Sequence, residues 1–237
     1  MLITELMNLK ERVAVVTGAT GHIGRVICET LSELGAKVVP VDRQEYDLEV
    51  QEQRTALVYC LKSEYSKIDI LVNNAAFVGS SDLQGWSVPF EEQSVETWRR
   101  VLEVNLTAVF DLCKNLLPAN IINIGSVYGV FGPDWRLYKG TTMGNPAAYA
   151  ASKGGLIQLT RWLATTLAPQ TRVNAISPGG VFRNQPEEFV QRYEEKVPLR
   201  RMATEQDFKG AIAYLASDLS AYVTGQNICV DGGFGVW

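Results

Sequence analysis

The chain has 237 residues, 46% of them hydrophobic and 20% charged, with a formal net charge of -4. That size and composition suit one globular domain over 1–237 with a sizeable core, and the acidic balance argues against nucleic-acid or anionic-membrane partners. Four cysteines without a CxxC pair and one histidine provide no metal-ligand set, no apolar window is long enough to span a bilayer, and the first residues lack the basic start of a signal peptide, so a metal-free cytoplasmic protein is expected.

The first apolar run, 13–16, predicts a strand, and Thr17-Gly18-Ala19-Thr20-Gly21-His22-Ile23-Gly24 joins it to a predicted helix over 23–34. Gly18 permits a tight exit from the strand, and Gly24 permits close packing of helix on sheet. Backbone N–H groups at the helix start suit a diphosphate. The next strand, 37–41, ends at Asp42. A carboxylate there accepts hydrogen bonds from adenosine ribose hydroxyls and repels a 2′-phosphate, which favours NAD over NADP. Arg43 is the counter-signal, because an arginine there can serve a 2′-phosphate.

Only residues 43–46 then precede Asp47, where the following strand would end. A parallel crossover with its helix needs about a dozen residues. The helix between the second and third strands is therefore expected to be missing or reduced, and the neighbouring edge strand short or lost.

A helix over 49–63 and a strand over 68–72 follow, leading through Asn73-Asn74-Ala75-Ala76 into a long connection, 77–93. The next predicted helix, 94–114, carries Asn105 inside an apolar run, where a buried amide needs partners. After a strand over 121–124 come Ser126, able to hydrogen-bond a substrate oxygen, and a second long connection, 128–146. The helix predicted over 147–167 begins with Tyr149-x-x-x-Lys153, two neighbours on one helix face. A lysine ammonium stabilises tyrosinate and lowers the phenol pKa toward the range of an acid/base catalyst.

Strand 172–176, the turn Ser177-Pro178-Gly179-Gly180, a helix over 205–215 capped by Thr204-x-x-Asp207, and strand 228–230 complete the order. Several strands are apolar on both faces. The alternation predicts a doubly wound α/β fold, a Rossmann-type parallel sheet with helices on both faces. Both long connections follow strands and so lie at the C-terminal sheet edge, where ligands bind in such folds.

In combination these pieces resemble the compact type of the short-chain dehydrogenase/reductase family over nearly the whole chain. The resemblance rests on the glycine-rich turn, Asp42, Asp47-Leu48, Asn73-Asn74-Ala75-Ala76, Asn105, Ser126, Tyr149-x-x-x-Lys153 and Ser177-Pro178-Gly179-Gly180. The tail Val223-Thr224-Gly225-Gln226 with Val230-Asp231-Gly232-Gly233 completes it. It implies that Tyr149 is the proton donor and acceptor, that Lys153 lowers its pKa and holds the nicotinamide ribose, and that Ser126 orients the reacting oxygen. Asn105 would support a proton-relay water.

The implied cofactor set is Gly18, Thr20, Gly21, His22, Ile23, Gly24, Asp42, Arg43, Asp47, Leu48, Asn74, Ala75, Ala76, Pro178, Gly179 and Val181. Asp47 and Leu48 would flank adenine, and Asn73 and Ala75 would line the cleft. Hydride transfer with NAD needs no metal. The family resemblance also implies a homo-oligomer, dimer or tetramer, through the helices at 94–114 and 147–167, with the apolar 234–237 tail at an interface.

The sequence departs from the family pattern in five places. His22 stands where compact members usually have glycine, and Gly18-x-x-Gly21-x-x-Gly24 resembles extended members, which carry a larger C-terminal substrate domain. Asn-Asn-Ala-Ala replaces Asn-Asn-Ala-Gly, the 126–149 segment is longer than usual, and the threonine common after Pro178-Gly179 is replaced at Phe182.

The long connections and 181–198 supply Trp86, Tyr128, Asp134, Trp135, Arg136, Tyr138, Lys139, Asn145 and Arg183. Of these, Tyr128, Trp135, Tyr138, Asn145 and Arg183 are the expected substrate contacts. Aromatic faces with convergent polar groups suit a polyhydroxylated small molecule, such as a sugar or sugar derivative. The 132–156 stretch is also similar to dehydrogenases associated with nonulosonate and flagellin-glycan sugar pathways. Two other readings stay open: a non-redox, NAD-retaining epimerase or dehydratase, and a nucleotide-sensing binding protein.

Overall fold

The computed structural model describes residues 1–78 and 81–237. The apolar runs form six parallel strands: β1 (Val13–Thr17), β2 (Lys37–Val41), β3 (Ile70–Asn73), β4 (Asn120–Ile124), β5 (Arg172–Pro178) and β6 (Asn227–Val230). They are ordered β2-β1-β3-β4-β5-β6. β3 and β4 are buried along their whole length, as the strands of a sheet covered on both faces must be.

The helices are α1 (Ile3–Leu6), α2 (His22–Glu33), α3 (Gln51–Glu64), α4 (Val95–Leu102), α5 (Ala108–Leu116), α6 (Ala147–Leu167), α7 (Glu187–Lys196) and α8 (Lys209–Ala216). Strand residues alternate between two cores. Ala14, Val16, Ile70 and Ile122 meet Ile27 and Leu31 of α2 and Ile212 and Leu215 of α8. On the other face Val15, Leu71 and Ile121 meet Leu57 of α3, Leu112 of α5, and Leu156 and Leu163 of α6. Each of the Val, Leu and Ile side chains among them contributes about 1.5–3 kcal/mol on burial. The chain runs from β1 outward to β2 and then returns to β3 on the other side of β1. The crevice at the carboxyl ends of β1 and β3 is therefore the switch point where ligands bind in open α/β sheets.

Neither helix nor strand occupies the segment between Asp42 and Asp47, as the count of residues required. The chain turns there instead, with the Tyr46 N–H donated to Asp42 O at 2.9 Å, and β2 is left as the outer strand. The crossover from β2 to β3 uses the 14-residue α3, so the second and third strands that form are joined by a full helix; the helix that is missing is the one that would have led to a strand ending at Asp47.

Besides the four-residue α1, for which the sequence predicted no element, three features differ from the sequence expectations. The helix expected over 94–114 is interrupted by a π-turn, Glu103–Thr107, between α4 and α5. The one expected over 205–215 opens with a 3₁₀ turn, Glu205–Phe208, behind the Thr204–Asp207 capping box. α7 was not foreseen: its sequence, EEFVQRYEEK, is mostly charged, but Phe189 and Tyr193, four residues apart, are buried. They enter an aromatic cluster with Val127, Tyr138, Val197, Met202 and Phe234 above the C-terminal sheet edge.

Candidate active site

The glycine turn is fixed by close approach. Gly18 has φ 62°, and a Cβ there would lie 2.8 Å from Ala75 Cα; a Cβ on Gly24 would lie 2.0 Å from Gly18 O. Asn74 fastens the turn to the end of β3, its Nδ2 donating to Thr17 O at 3.0 Å and Gly18 O at 2.9 Å. Thr17 Oγ1 accepts from the Asn74 and Ala75 N–H groups, each at 3.1 Å. α2 starts after Gly21 with no side-chain cap, so its first N–H groups remain to be satisfied by a ligand or water.

Asp42 sits across from this turn. Its Oδ2 accepts from Thr20 N at 2.8 Å and Thr20 Oγ1 at 2.7 Å, and its Oδ1 accepts from Arg43 N at 2.8 Å. Burial raises its pKa, but the bonds from Thr20 and Arg43 outweigh burial and hold the carboxyl below its ordinary value. Oδ1 keeps acceptor capacity for a further hydroxyl. Gly18, Asp42, Arg43, Asp47, Leu48, Ala75, Ala76 and Phe77 line one cavity of about 360 Å³. An uncapped helix start, a cradle that a Cβ would fill and an adjoining cavity of this volume fit a dinucleotide.

Other expected cofactor residues are placed differently. Asn73 does not line the cleft. It is 3% exposed and points into the core, donating to Asn123 Oδ1 at 2.8 Å. Ile23 packs its side chain into the α2 core, leaving its backbone to the cleft. His22 is exposed, with Nδ1 3.8 Å from Glu205 Oε1, and Glu205 pairs with Arg183 at 3.2 Å. Past β5, the Gly179 N–H is donated to Val230 O at 3.0 Å, the Gly180 N–H to the Tyr193 hydroxyl, and Val181 bridges to Ala203. Phe182, which stands in place of the expected threonine, is half exposed, its N–H donated to Ala203 O.

Ser126 lies two residues past the end of β4 and is buried. Its Oγ accepts the Tyr128 N–H at 3.2 Å. Tyr149 and Lys153, one turn apart on α6, face it. Lys153 is 3% exposed, donates from Nζ to Ile124 O at 2.7 Å, and lies 5.8 Å from the centre of the Tyr149 ring. No carboxylate among the described residues pairs with it, and burial pushes its pKa down to about 8. The Tyr149 phenol is raised by burial, with the Ser126 hydroxyl pulling the other way. This corrects the sequence expectation of a lowered phenol: Lys153 is turned to a main-chain carbonyl, and burial dominates.

Asn105 lies in the π-turn, 1% exposed. Its Oδ1 accepts the Phe77 N–H at 2.8 Å, and its Nδ2 donates to Phe77 O and Ser152 Oγ, both at 3.1 Å. It thus joins the start of the 77–93 connection to the residue beside Lys153. π-turns occur disproportionately at functional sites. Sequence reasoning missed Gly129, where a Cβ would lie 2.6 Å from the Lys153 carbonyl carbon; only glycine lets the Ser126 turn press onto α6.

The expected substrate contacts divide. Tyr128 and Tyr138 share a hydroxyl–hydroxyl hydrogen bond. Burial raises both phenols, Tyr138 to about 12, so they are mostly absorbed into the aromatic cluster. Trp135 is 59% exposed, tilted against Tyr138 at 5.7 Å. Asn145 is 6% exposed, and both its amide atoms lack a partner among the described residues. Arg183 is held by Glu205. Trp86 is not a pocket residue: it is 2% exposed and packs under Tyr149 with Val101 and Ala148. Asp134 is held well below the usual carboxylate range, first by Arg136 and then by Lys196, which ties α7 to the 128–146 connection. Arg136 and Lys139 face solvent.

A family model described as Enoyl-(Acyl carrier protein) reductase matches residues 44–235. The chain is 32% identical over 257 residues to the 3-oxoacyl-[acyl-carrier-protein] reductase FabG of Escherichia coli, covering 96% of this chain and 98% of the relative. It superposes with TM-score 0.86 and 32% identity on a short chain dehydrogenase from Leptospira borgpetersenii with bound NAD+, covering 99% and 96% of the two chains. A protein designated an NAD(P)-dependent gluconate 5-dehydrogenase from Beutenbergia cavernae, with bound NADP, superposes with TM-score 0.85 and 31% identity, covering 98% and 100%.

Proposed function

The chain belongs to the short-chain dehydrogenase/reductase family, and we propose from that premise that this nicotinamide-dependent oxidoreductase interconverts a carbonyl and a secondary alcohol with Tyr149 as its acid/base. The observation that carries the assignment is the buried Lys153 ammonium, without a carboxylate partner among the described residues, one helical turn from Tyr149 and beneath Ser126. A structural lysine would be paired or exposed.

The nicotinamide, when bound, supplies or accepts the hydride. The glycine turn and the start of α2 hold the diphosphate, Asp42 takes the adenosine ribose, and Asp47, Leu48, Ala75 and Ala76 enclose the adenine end. Ser126 donates to the substrate oxygen and aligns it. Tyr149, kept protonated by burial, delivers its proton to that oxygen during reduction and recovers it during oxidation. Lys153 holds positive charge beside the phenolate that forms. Asn105 keeps the π-turn and the 77–93 connection in register with Ser152, so that Lys153 stays in place.

NAD is the proposed cofactor, because Asp42 is ionised and retains capacity for a ribose hydroxyl where NADP would place a phosphate. For substrate, the proposal is a polyhydroxylated small molecule, a sugar acid or sugar derivative. The orphaned amide of Asn145 supports it, since that amide offers a donor and an acceptor to adjacent oxygens. The name of the Beutenbergia relative points the same way. The name of the Escherichia coli relative favours a second reading, a 3-oxoacyl thioester.

A panel of aldonic acids, sugars, 3-oxoacyl thioesters and simple ketones, followed by NAD(P)H absorbance, separates the two. Turnover of hydroxylated substrates that falls about 10²–10⁴-fold in Tyr149→Phe is expected. Turnover confined to acyl thioesters would overturn the substrate assignment, and a fully active Tyr149→Phe would overturn the acid/base assignment.

A further inference from the structure

The adenine end of the cleft contains a charge cluster whose ion pairs the proposed chemistry does not use. Arg43 Nε lies 2.9 Å from Asp47 Oδ2, and Arg43 Nη2 lies 3.8 Å from Glu49 Oε2. Arg100, from α4, grips the same Glu49 carboxylate with Nε at 2.6 Å and Nη2 at 3.0 Å. Both guanidiniums lie over the Phe77 ring, at 5.8 Å for Arg43 and 5.7 Å for Arg100. The carboxylates are the anchored partners. Asp47 Oδ1 accepts the Glu49 N–H at 2.9 Å, and the Asp47 N–H is donated to Gln53 Oε1. Their side chains are 22% and 20% exposed, against 59% for Arg43.

This arrangement follows from the missing strand and helix after Asp42. Their loss brings Asp47 within four residues of Arg43, on a turn tight enough for an ion pair. Arg43 lines the cavity beside Asp42 and is the residue that a 2′-phosphate would need.

We propose that Asp47 and Glu49 are positioning residues for cofactor selectivity: they hold Arg43 against Phe77 and neutralise it, so that it does not serve a 2′-phosphate. This rests on the reading that the chain is an NAD enzyme. Asp42 rejects the 2′-phosphate directly, and the pair removes the cation that would offset that rejection.

The test uses the full-length protein and two dinucleotide fragments, ADP and adenosine 2′,5′-bisphosphate, titrated by calorimetry. No substrate is needed. The readout is the ratio of the two affinities, in which a general loss of fold cancels. Wild type is expected to favour ADP by about tenfold or more. Glu49→Gln, and more strongly Glu49→Gln with Asp47→Asn, should shift the ratio toward the 2′-phosphate compound by about three- to tenfold. Adding Arg43→Ala to the double variant should abolish that shift.

A ratio unmoved in the double variant, or a shift that survives Arg43→Ala, overturns the proposal. Should the double variant fail to fold, Arg43→Ala alone decides. A ratio changed by less than twofold supports the proposal, and a marked selective loss of the 2′-phosphate compound shows that Arg43 was already available to it. Preference of the wild type for the bisphosphate would instead sink the NAD reading itself, an outcome distinct from an unmoved ratio on an ADP-preferring wild type.

Discussion

Lys153 shows what the site costs the fold. Its pKa lies near 8 in the folded protein, below about 10.4 for a free lysine. The unfolded chain therefore binds the proton more tightly, and stability rises with pH between those two values and carries a constant penalty below them. Lys153→Met should raise the stability of the empty protein at pH 7 by roughly 1–3 kcal/mol, while turnover falls about a hundredfold or more. Calorimetric melting at pH 7 and at pH 10.5 checks this: the gain over wild type should shrink at the higher pH. Equal melting temperatures at pH 7 would show that the ammonium is not penalised. Ser126, Tyr149, Lys153 and Asn105 were legible in the sequence, because each is a chemistry-bearing residue in a recognisable setting. The direction of the Tyr149 shift was not, since it depends on which neighbours bury the ring. Trp86 was misplaced because an aromatic residue in a long connection looks the same whether it lines a pocket or props a helix from behind.

Among the elements, the strands and long helices were legible from apolar period, and the lost crossover from simple counting. The π-turn was not. Apolar spacing over 94–114 is too coarse to register one added residue, and the signal available was a buried asparagine in an apolar run. α7 escaped because its apolar partners lie far off in the chain, in the 128–146 connection and at Phe234. The 3₁₀ turn Val127–Gly129 carries Ser126 against α6 only because Gly129 has no side chain. Gly129→Ala should push that turn away from Lys153, lowering kcat about 10–100-fold while leaving ADP affinity within about twofold of wild type. Steady-state kinetics with calorimetry separates these, and a parallel loss of ADP affinity would mean that the sheet edge itself had shifted.

The sheet order, with its reversal at β1, explains why residues from five distant segments meet at one edge. What the folded chain leaves outside is also informative. Val95, Trp98 and Phe110 on α4 and α5 and Trp162 on α6 are exposed, on the helices where the sequence resemblance implied self-association. A dimer or tetramer is expected by light scattering, and Phe110→Glu with Trp162→Glu should reduce its mass with the circular dichroism spectrum unchanged. A monomeric wild type would refute this. No helix among the described residues is long and apolar enough to cross a membrane.

The lost strand beyond β2 has one more result. It exposes a row of backbone groups to which a stray chain could zip. Yet the row is five residues long and contains Pro40, which cannot donate a hydrogen bond. Shortening the sheet by one strand thus ended it on a segment that makes a poor template for aggregation.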